Sequence, residues 1–513
     1  MSAARARAPR VRPAGPTSLP ALLAHRAATA PDRPALLCGP HRLTFSQWHD
    51  RARALASGLG ARGHAAGDRV ALRYGSADWA EYAVAYCGVL LAGCVAVPVS
   101  DRQAPAVFAH VLRDSGAALV LHAAEEPPPA VPAPDSSAPP VRTVTVAEIT
   151  AAGDPGTGTL PLPAPDTLAQ ILYTSGTTGV PKGVTATHGN LAHGCTLDER
   201  RRPLRHSAYF LHAFPVGTNA GQTMLVNALD SAAAGIAAPR FTPARFARLI
   251  EEHAVGSVFL VPAMAIELLG SGPARRFSTD SVRLVGSTAA ALPQTVAVGL
   301  ADAFPRAQIV NYYTSTEAAP AQITLLFDPG RPESPGRPAS LGELRITAAD
   351  GTPLPTGEPG EVWLRTPASP RTYLGDPEAG AEVFQGRWVR MGDLGRLDDE
   401  GYLHLLDRER DVVKSGAHKV STLQVENALH AHPAVADAAA LGVPHPVLGS
   451  VVAAVVVPRG EVTVPELRTF LLDRLAPHEL PARLLFRSGL PRNEGGKILK
   501  RELRLLLDDE APR

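Results

Sequence analysis

Seventeen consecutive residues, Ala83 to Val99 (AVAYCGVLLAGCVAVPV), carry no charge. A bilayer-spanning helix needs roughly 20 apolar residues. This run is shorter, is interrupted by Gly93 and Pro98, and has Glu81 and Asp101 just outside it. It therefore reads as a buried helix, a glycine turn at Gly93, and a short buried strand, CVAVPV. Its neighbours extend the pattern. Helical patterns such as SLPALLAHRAAT, FSQWHDRARALASGLGARG and AVFAHVLRDSG alternate with the strands RVALRYG and AALVLH. Strand–helix–strand alternation implies a parallel sheet with helices on its faces. It resumes between residues 207 and 330, where SVFLVP, VRLVGS and QIVNYY are strand candidates and PARFARLIEEHA is a helix. From 341 to 406 the pattern changes to short strands (LGELRI, GEVWLR, GYLHLLD) between Gly and Pro turns, which predicts a small β-rich subdomain. A charged run, DRERD, follows from Asp407, and the remaining residues have α+β character.

Composition narrows the classes. The 513 residues carry a net charge of +1, which offers no footprint for nucleic acid or an anionic membrane. A hydrophobic content of 45% excludes global disorder. The 49 prolines and 45 glycines follow no Gly-X-Y period and mark turns, with Pro-rich loops at 123–140 and 153–166. Cys38, Cys87, Cys94 and Cys195 are scattered without a CxxC motif, so they read as free thiols in a reducing, cytoplasmic setting. The basic N-terminus, MSAARARAPRVRPAGP, has no apolar h-region and reads as a frayed tail over 1–16 rather than a secretory signal.

The chemistry is densest at ILYTSGTTGVPKGVTATHGNL, residues 171–191. A strand runs into a loop whose glycines, Gly176 and Gly179, allow close backbone approach, whose Ser175, Thr177 and Thr178 add hydroxyls, and whose Lys182 adds a cation. That set suits a polyphosphate. It is not a Walker A loop, because Pro181 precedes Lys182 and Gly183 follows it. Further segments stand out downstream: YFLHAFPVGTNAGQT (209–223), VGSTAAALP (285–293), NYYTSTEA (311–318), RMGDLGRLDDEGYLHLLDRERD (390–411) and PRNEGGKILKREL (491–503).

Together these segments, in this order over 17–505, resemble the superfamily of ATP-dependent adenylating enzymes: acyl- and aryl-CoA synthetases, non-ribosomal peptide adenylation domains and luciferases. The resemblance implies an α/β fold with a large N-terminal domain of parallel and mixed sheets over 17–406, its β-rich subdomain at 341–406, a hinge at 407–411 and a small mobile α+β domain over 412–513. It makes Thr174, Ser175, Gly176, Thr177, Thr178, Gly179 and Lys182 the phosphate loop, and places Gly286, Ser287, Thr288, Asn311, Tyr312, Tyr313 and Thr314 around the nucleotide. Tyr313 would stack on adenine, Thr316 would contact the α-phosphate, and Glu317 would hold Mg²⁺. Asp393 would take the ribose hydroxyls, with Arg408 beside it. Arg410 falls at the hinge position. Lys497 would enter the site for adenylation, its ammonium offsetting charge at the α-phosphorus. Lys500 and Arg501 read as the surface start of a basic helix. His212 matches a position beside the reacting carboxylate, or is a partly buried structural histidine. The other histidines, among them His188, have no ligand spacing.

The implied reaction joins a small-molecule acid to a thiol: acid and ATP·Mg²⁺ give an acyl-adenylate and pyrophosphate, and coenzyme A or a carrier-protein phosphopantetheine takes the acyl group. An acyl carrier protein is a partner where it, rather than coenzyme A, supplies the thiol. An amine acceptor or a non-carboxylic oxyacid is the alternative, and a non-catalytic homologue a distant one. Three departures from the family pattern bear on the substrate. The usual glycine of the adenine motif is Thr314, which implies a shortened pocket and a small acid. No Asp lies in 212–216, which disfavours an amino acid, and Ala213 stands where hydroxybenzoate-activating members carry Asn. The segment after the hinge reads Thr422-Leu-Gln-Val-Glu426 rather than Pro-x-Glu-Val-Glu.

Overall fold

The computed structural model describes residues 15–125, 141–151, 160–174, 180–272, 276–331, 336–338 and 344–509. Residues 1–14 of the expected tail, most of the first Pro-rich loop and half of the second lie outside the described residues, as do Ser175, Gly176, Thr177, Thr178 and Gly179 of the expected phosphate loop.

The uncharged run folds as its pattern predicts. A helix spans Trp79–Leu91, Gly93 takes φ +74°, and the strand Val95–Ser100 follows. The helix is buried nearly all round, because it packs between two sheets, touching Pro34–Cys38 of one and Arg69–Tyr74 of the other. Its polar groups are used as well: Trp48 Nε1 donates to the backbone Ala83 O at 2.9 Å, and the side-chain Tyr86 Oη donates to Gln170 Oε1 at 2.7 Å.

The first sheet has nine strands. Its parallel centre runs Pro34–Cys38, Ala234–Ala237, Tyr209–His212, Ser257–Leu260, Leu284–Ser287, Gln308–Tyr313. Chain order reverses at Tyr209–His212: the next strand in sequence lies on one side of it and the one after on the other. Ligands of such sheets bind outside the carboxyl ends of the strands at this switch point. The second sheet has seven strands, with Leu168–Thr174, Val95–Ser100, Arg69–Tyr74, Leu119–His122 and Arg142–Thr145 parallel, and Lys182–Thr187 antiparallel to Leu168–Thr174. A two-residue strand, Thr372–Tyr373, pairs antiparallel with Lys182–Thr187.

The β-rich subdomain is an antiparallel sheet of Leu344–Thr347, Gly360–Arg365, Trp388–Leu397, Phe384–Gln385 and Leu403–Arg408. Its last strand carries two residues into the segment expected to be the hinge. The C-terminal part has its own sheet, centred on Val435–His445 and Gly449–Pro458, with the helices Thr422–His430, Val464–Leu472 and Lys500–Asp509 packed against it. All four cysteines are free and buried.

Candidate active site

Two joined cavities, of about 730 and 870 Å³, open above the carboxyl ends of the parallel strands. The segments that follow five strands of the first sheet line the smaller one: Ala213–Pro215, Pro239–Phe241, Val261 with Ala263 and Met264, Thr288–Ala289 and Thr314–Glu317. Thr314, Ser315, Met391, Arg408 and Lys497 line both.

The strand Leu284–Ser287 forms the floor. Gly286 lies so close to Tyr312 and Phe259 that a Cβ would meet ring carbons at 2.6 and 2.9 Å. That approach lets Tyr312 lie over Phe259, with ring centroids 6.1 Å apart. Ser287 Oγ and Asn311 Oδ1 are buried without a protein hydrogen-bond partner among the described residues. Asn311 lines the larger cavity, so its amide oxygen is available to a polar ligand there.

Tyr312 and Tyr313 both line the larger cavity. Tyr313 is the more deeply seated, packed into the core of the antiparallel subdomain. Its hydroxyl donates to Asp393 Oδ2 at 2.6 Å, and Arg408 Nε lies 3.5 Å from Asp393 Oδ1. The strands carrying Asp393 and Arg408 pair in register, which places the two side by side.

On the other side, Thr174 and Lys182, the ends of the expected phosphate loop, are cross-strand partners. Lys182 Nζ lies 3.0 Å from Asp376 Oδ2 and 5.1 Å from the centre of the Tyr373 ring. Tyr373 Oη donates to Glu317 Oε1 at 3.0 Å. Arg371, 7% exposed, donates to Thr316 O at 2.8 Å and to Asn190 Oδ1 at 3.0 Å. Burial lowers its pKa to about 10. Sequence reasoning missed Arg371, Tyr373 and Asp376. Tyr373 lies on the Thr372–Tyr373 strand, Arg371 just before it and Asp376 at the cap of the helix Pro377–Val383 that follows, and the strand is too short to leave a pattern.

Lys497 enters from the C-terminal part. Its loop closes on itself through Asn493 N–H to Lys497 O, Lys497 N–H to Asn493 Oδ1 and Leu499 N–H to Pro491 O, each at 2.9 Å. Gly496 holds φ +82° and packs on Val261, where a Cβ would sit 2.8 Å from Cγ2. Burial, then the guanidinium groups of Arg408 and Arg410, lowers the Lys497 ammonium to about 8. Lys500 is not the solvated helix start expected of it: it makes a hydrogen bond to Thr422 and ion pairs with Asp411 and Glu426. Arg501 is exposed, as expected.

His212 ends the switch-point strand but does not line the smaller cavity, as Ala213 and Phe214 do. It is 1% exposed, edge-on to Trp79 with ring centroids 5.0 Å apart, and its Nδ1 accepts from Phe214 N–H at 3.2 Å. Burial drops its pKa to about 3, so the ring stays neutral.

Two family models cover this chain: the AMP-binding enzyme model matches residues 23–374, and the AMP-binding enzyme C-terminal domain model matches 424–497. The chain belongs to the AMP-binding enzyme family. Members similar to it include a feruloyl-CoA synthase from an Amycolatopsis species, 33% identical over 93% of this chain and 97% of that protein. The fatty acid–[acyl-carrier-protein] ligase ScoC of Streptomyces coeruleorubidus is 33% identical over 92% of this chain and 93% of that protein. Among solved members, the o-succinylbenzoate CoA synthetase of Bacillus subtilis, in complex with its acyl-adenylate intermediate, superposes with a TM-score of 0.78. It is 26% identical and covers 96% of this chain and 98% of its own. The α/β architecture with a small C-terminal domain is therefore that of the adenylate-forming enzymes.

Proposed function

We propose that the protein is an ATP-dependent acid–thiol ligase that activates a small carboxylic acid as its acyl-adenylate and passes the acyl group to coenzyme A or to a carrier-protein phosphopantetheine. The observation that carries this reading is the placement of Lys497. A lysine from the C-terminal part stands in the same cavity wall as Arg408, Thr316 and Glu317, where a triphosphate and a carboxylate would meet.

In the first step the acid's carboxylate attacks the α-phosphorus of ATP and pyrophosphate leaves. Asn311, Tyr312 and Tyr313 flank the adenosine side, with Tyr313 as the adenine stack, and Gly286, Ser287 and Thr288, at the carboxyl end of the floor strand, lie beneath it. Asp393, oriented by Tyr313 and Arg408, accepts from the ribose. Lys182 and the 174–179 loop hold the β- and γ-phosphates. Thr316 and Lys497 address the α-phosphoryl group, where an ammonium in a water-poor cleft stabilises the added negative charge. Magnesium, when bound, neutralises phosphate charge. Glu317 would hold it together with phosphate oxygens, since no cluster of three or more His, Cys, Asp or Glu side chains suited to a metal exists among the described residues. His212 is neutral beneath the acyl side and supports Phe214, so its role is to shape that wall.

In the second step the thiol attacks the acyl carbonyl and AMP leaves. We assign 17–406 and 412–513 as two lobes that reorient about 407–411 between the steps, and place the enzyme in the cytoplasm, where its free thiols stay reduced. No helix among the described residues is long and apolar enough to cross a membrane. The test is Lys497→Ala. It should suppress ATP–pyrophosphate exchange about a hundredfold or more while largely sparing thioester formation from preformed acyl-adenylate. Equal loss in both half-reactions would overturn the assignment.

A further inference from the structure

Three residues beyond Lys497, Lys500 opens the helix Lys500–Asp509. Its ammonium donates to Thr422 Oγ1 at 2.9 Å and lies 3.3 Å from both Asp411 Oδ2 and Glu426 Oε1. The Thr422 hydroxyl in turn donates to Asp407 Oδ1 at 3.2 Å, and Thr422 N–H donates to Asp407 Oδ2. Ser421 Oγ donates to Leu406 O beside it. The network joins three stretches of chain: Leu406 and Asp407 end the antiparallel subdomain, Asp411 belongs to the connecting segment, and Thr422, Glu426 and Lys500 belong to the C-terminal part.

The charge count makes the ammonium the pivotal member. Three carboxyl groups converge here, and burial is the largest influence on two of them, Asp407 and Glu426, whose protons it holds more tightly than usual. Removing one partner from a buried ionic cluster leaves the remaining charges uncompensated, which costs more than the cluster itself contributes. Lys500 is also covalently close to the reaction. The Pro491–Leu499 loop that presents Lys497 ends at its backbone, and Glu502 N–H donates to Leu499 O at 2.9 Å to start the helix. A displacement of Lys500 therefore shifts one end of that loop.

We propose that Lys500 is a positioning residue for adenylate formation: by bridging Asp411, Glu426 and Thr422 it holds the connecting segment and the Lys497 loop as one unit, in the orientation that puts Lys497 in the cleft. This rests on the role given above to Lys497. The two are separable by running Lys500→Met, Lys500→Arg and Lys497→Ala side by side. Lys500→Met should lower kcat for ATP–pyrophosphate exchange about tenfold or more, with KM for ATP changed less than about threefold. Thioester formation from preformed acyl-adenylate should stay within about twofold, and Lys500→Arg should restore at least about half of the exchange rate. Asp411→Asn, which cuts one arm while keeping the lysine, should give a smaller loss with the same split between half-reactions. A fall of both half-reactions together, or a Lys500→Arg enzyme no better than Lys500→Met, reduces Lys500 to a general fold stabiliser and overturns the proposal. Exchange lost in Lys497→Ala but intact in Lys500→Met overturns the role of Lys500 alone, whereas exchange that survives Lys497→Ala overturns the reading of Lys497.

Discussion

Lys497 binds its proton less tightly than an exposed lysine, because burial and two nearby arginines oppose the charge it must carry. The ammonium is the form that stabilises added phosphate charge. Adenylation by the free enzyme is therefore full below about pH 8 and declines as pH rises through that value. The alkaline limb of kcat/KM in a pyrophosphate-exchange profile measures this, and Lys497→Arg should move the limb upward even where it lowers the rate. Thr314 acts through space rather than charge. Its hydroxyl donates to Ala321 O at 2.6 Å, which fixes the side chain at the junction of the two cavities. Thr314→Gly should shift the optimum of an acid panel toward larger acids, and an unchanged optimum would remove Thr314 from the list of size determinants. At this scale the sequence was informative about placement wherever a residue sat in a local motif: Glu317, Asp393, Arg408 and Lys497 all line the two cavities. Asp376 was not legible, because its partner Lys182 is 194 residues away and no spacing links them. Lys500 misled for a related reason: a lysine beside an arginine at a helix start looks solvated until Asp411 and Glu426 fold around it.

Loops at the ends of regular elements carry the site, and they do so by close backbone approach. The Pro491–Leu499 loop is the clearest case. Gly496→Ala places a Cβ against Val261 in a left-handed conformation, a strain of about 1–3 kcal/mol. The expected result is a roughly ten- to hundredfold loss of pyrophosphate exchange, with thioester formation from preformed adenylate less affected, since only docking of the loop in the cleft requires the contact. Most strands and helices were legible because apolar runs and glycine turns are local signals; the Trp79–Leu91 helix, Gly93 and the following strand are one example. The placement of Thr372–Tyr373 was not, because a two-residue strand is defined by its partner Lys182–Thr187 and not by its own composition.

The molecule as a whole also stores a pH dependence apart from its chemistry. His212 and His188 are each about 1% exposed, and burial lowers them to about 3 and about 4. Both are neutral when folded but protonate in the unfolded chain below about pH 6.5. Their contribution to stability is therefore intact above about 6.5 and is lost as pH falls toward their folded values, at about 1.4 kcal/mol per pH unit for each ring. Urea unfolding at stepped pH should show this slope, and His212→Phe should flatten it by about half of that combined amount. At this scale the division into sheets was visible in the sequence as a change of periodicity near residue 341, whereas the packing of the two large sheets about one helix depends on contacts that no local window contains. The buried thiols have a last consequence for watching such a molecule move. Burial raises Cys38 and Cys94 to about 11 and pushes Cys87 and Cys195 higher still, so none offers a thiolate to a maleimide at neutral pH. A pair of cysteines introduced on either side of residues 407–411 would carry donor and acceptor dyes without native competitors, and energy transfer between them would test whether the two lobes proposed above reorient during turnover.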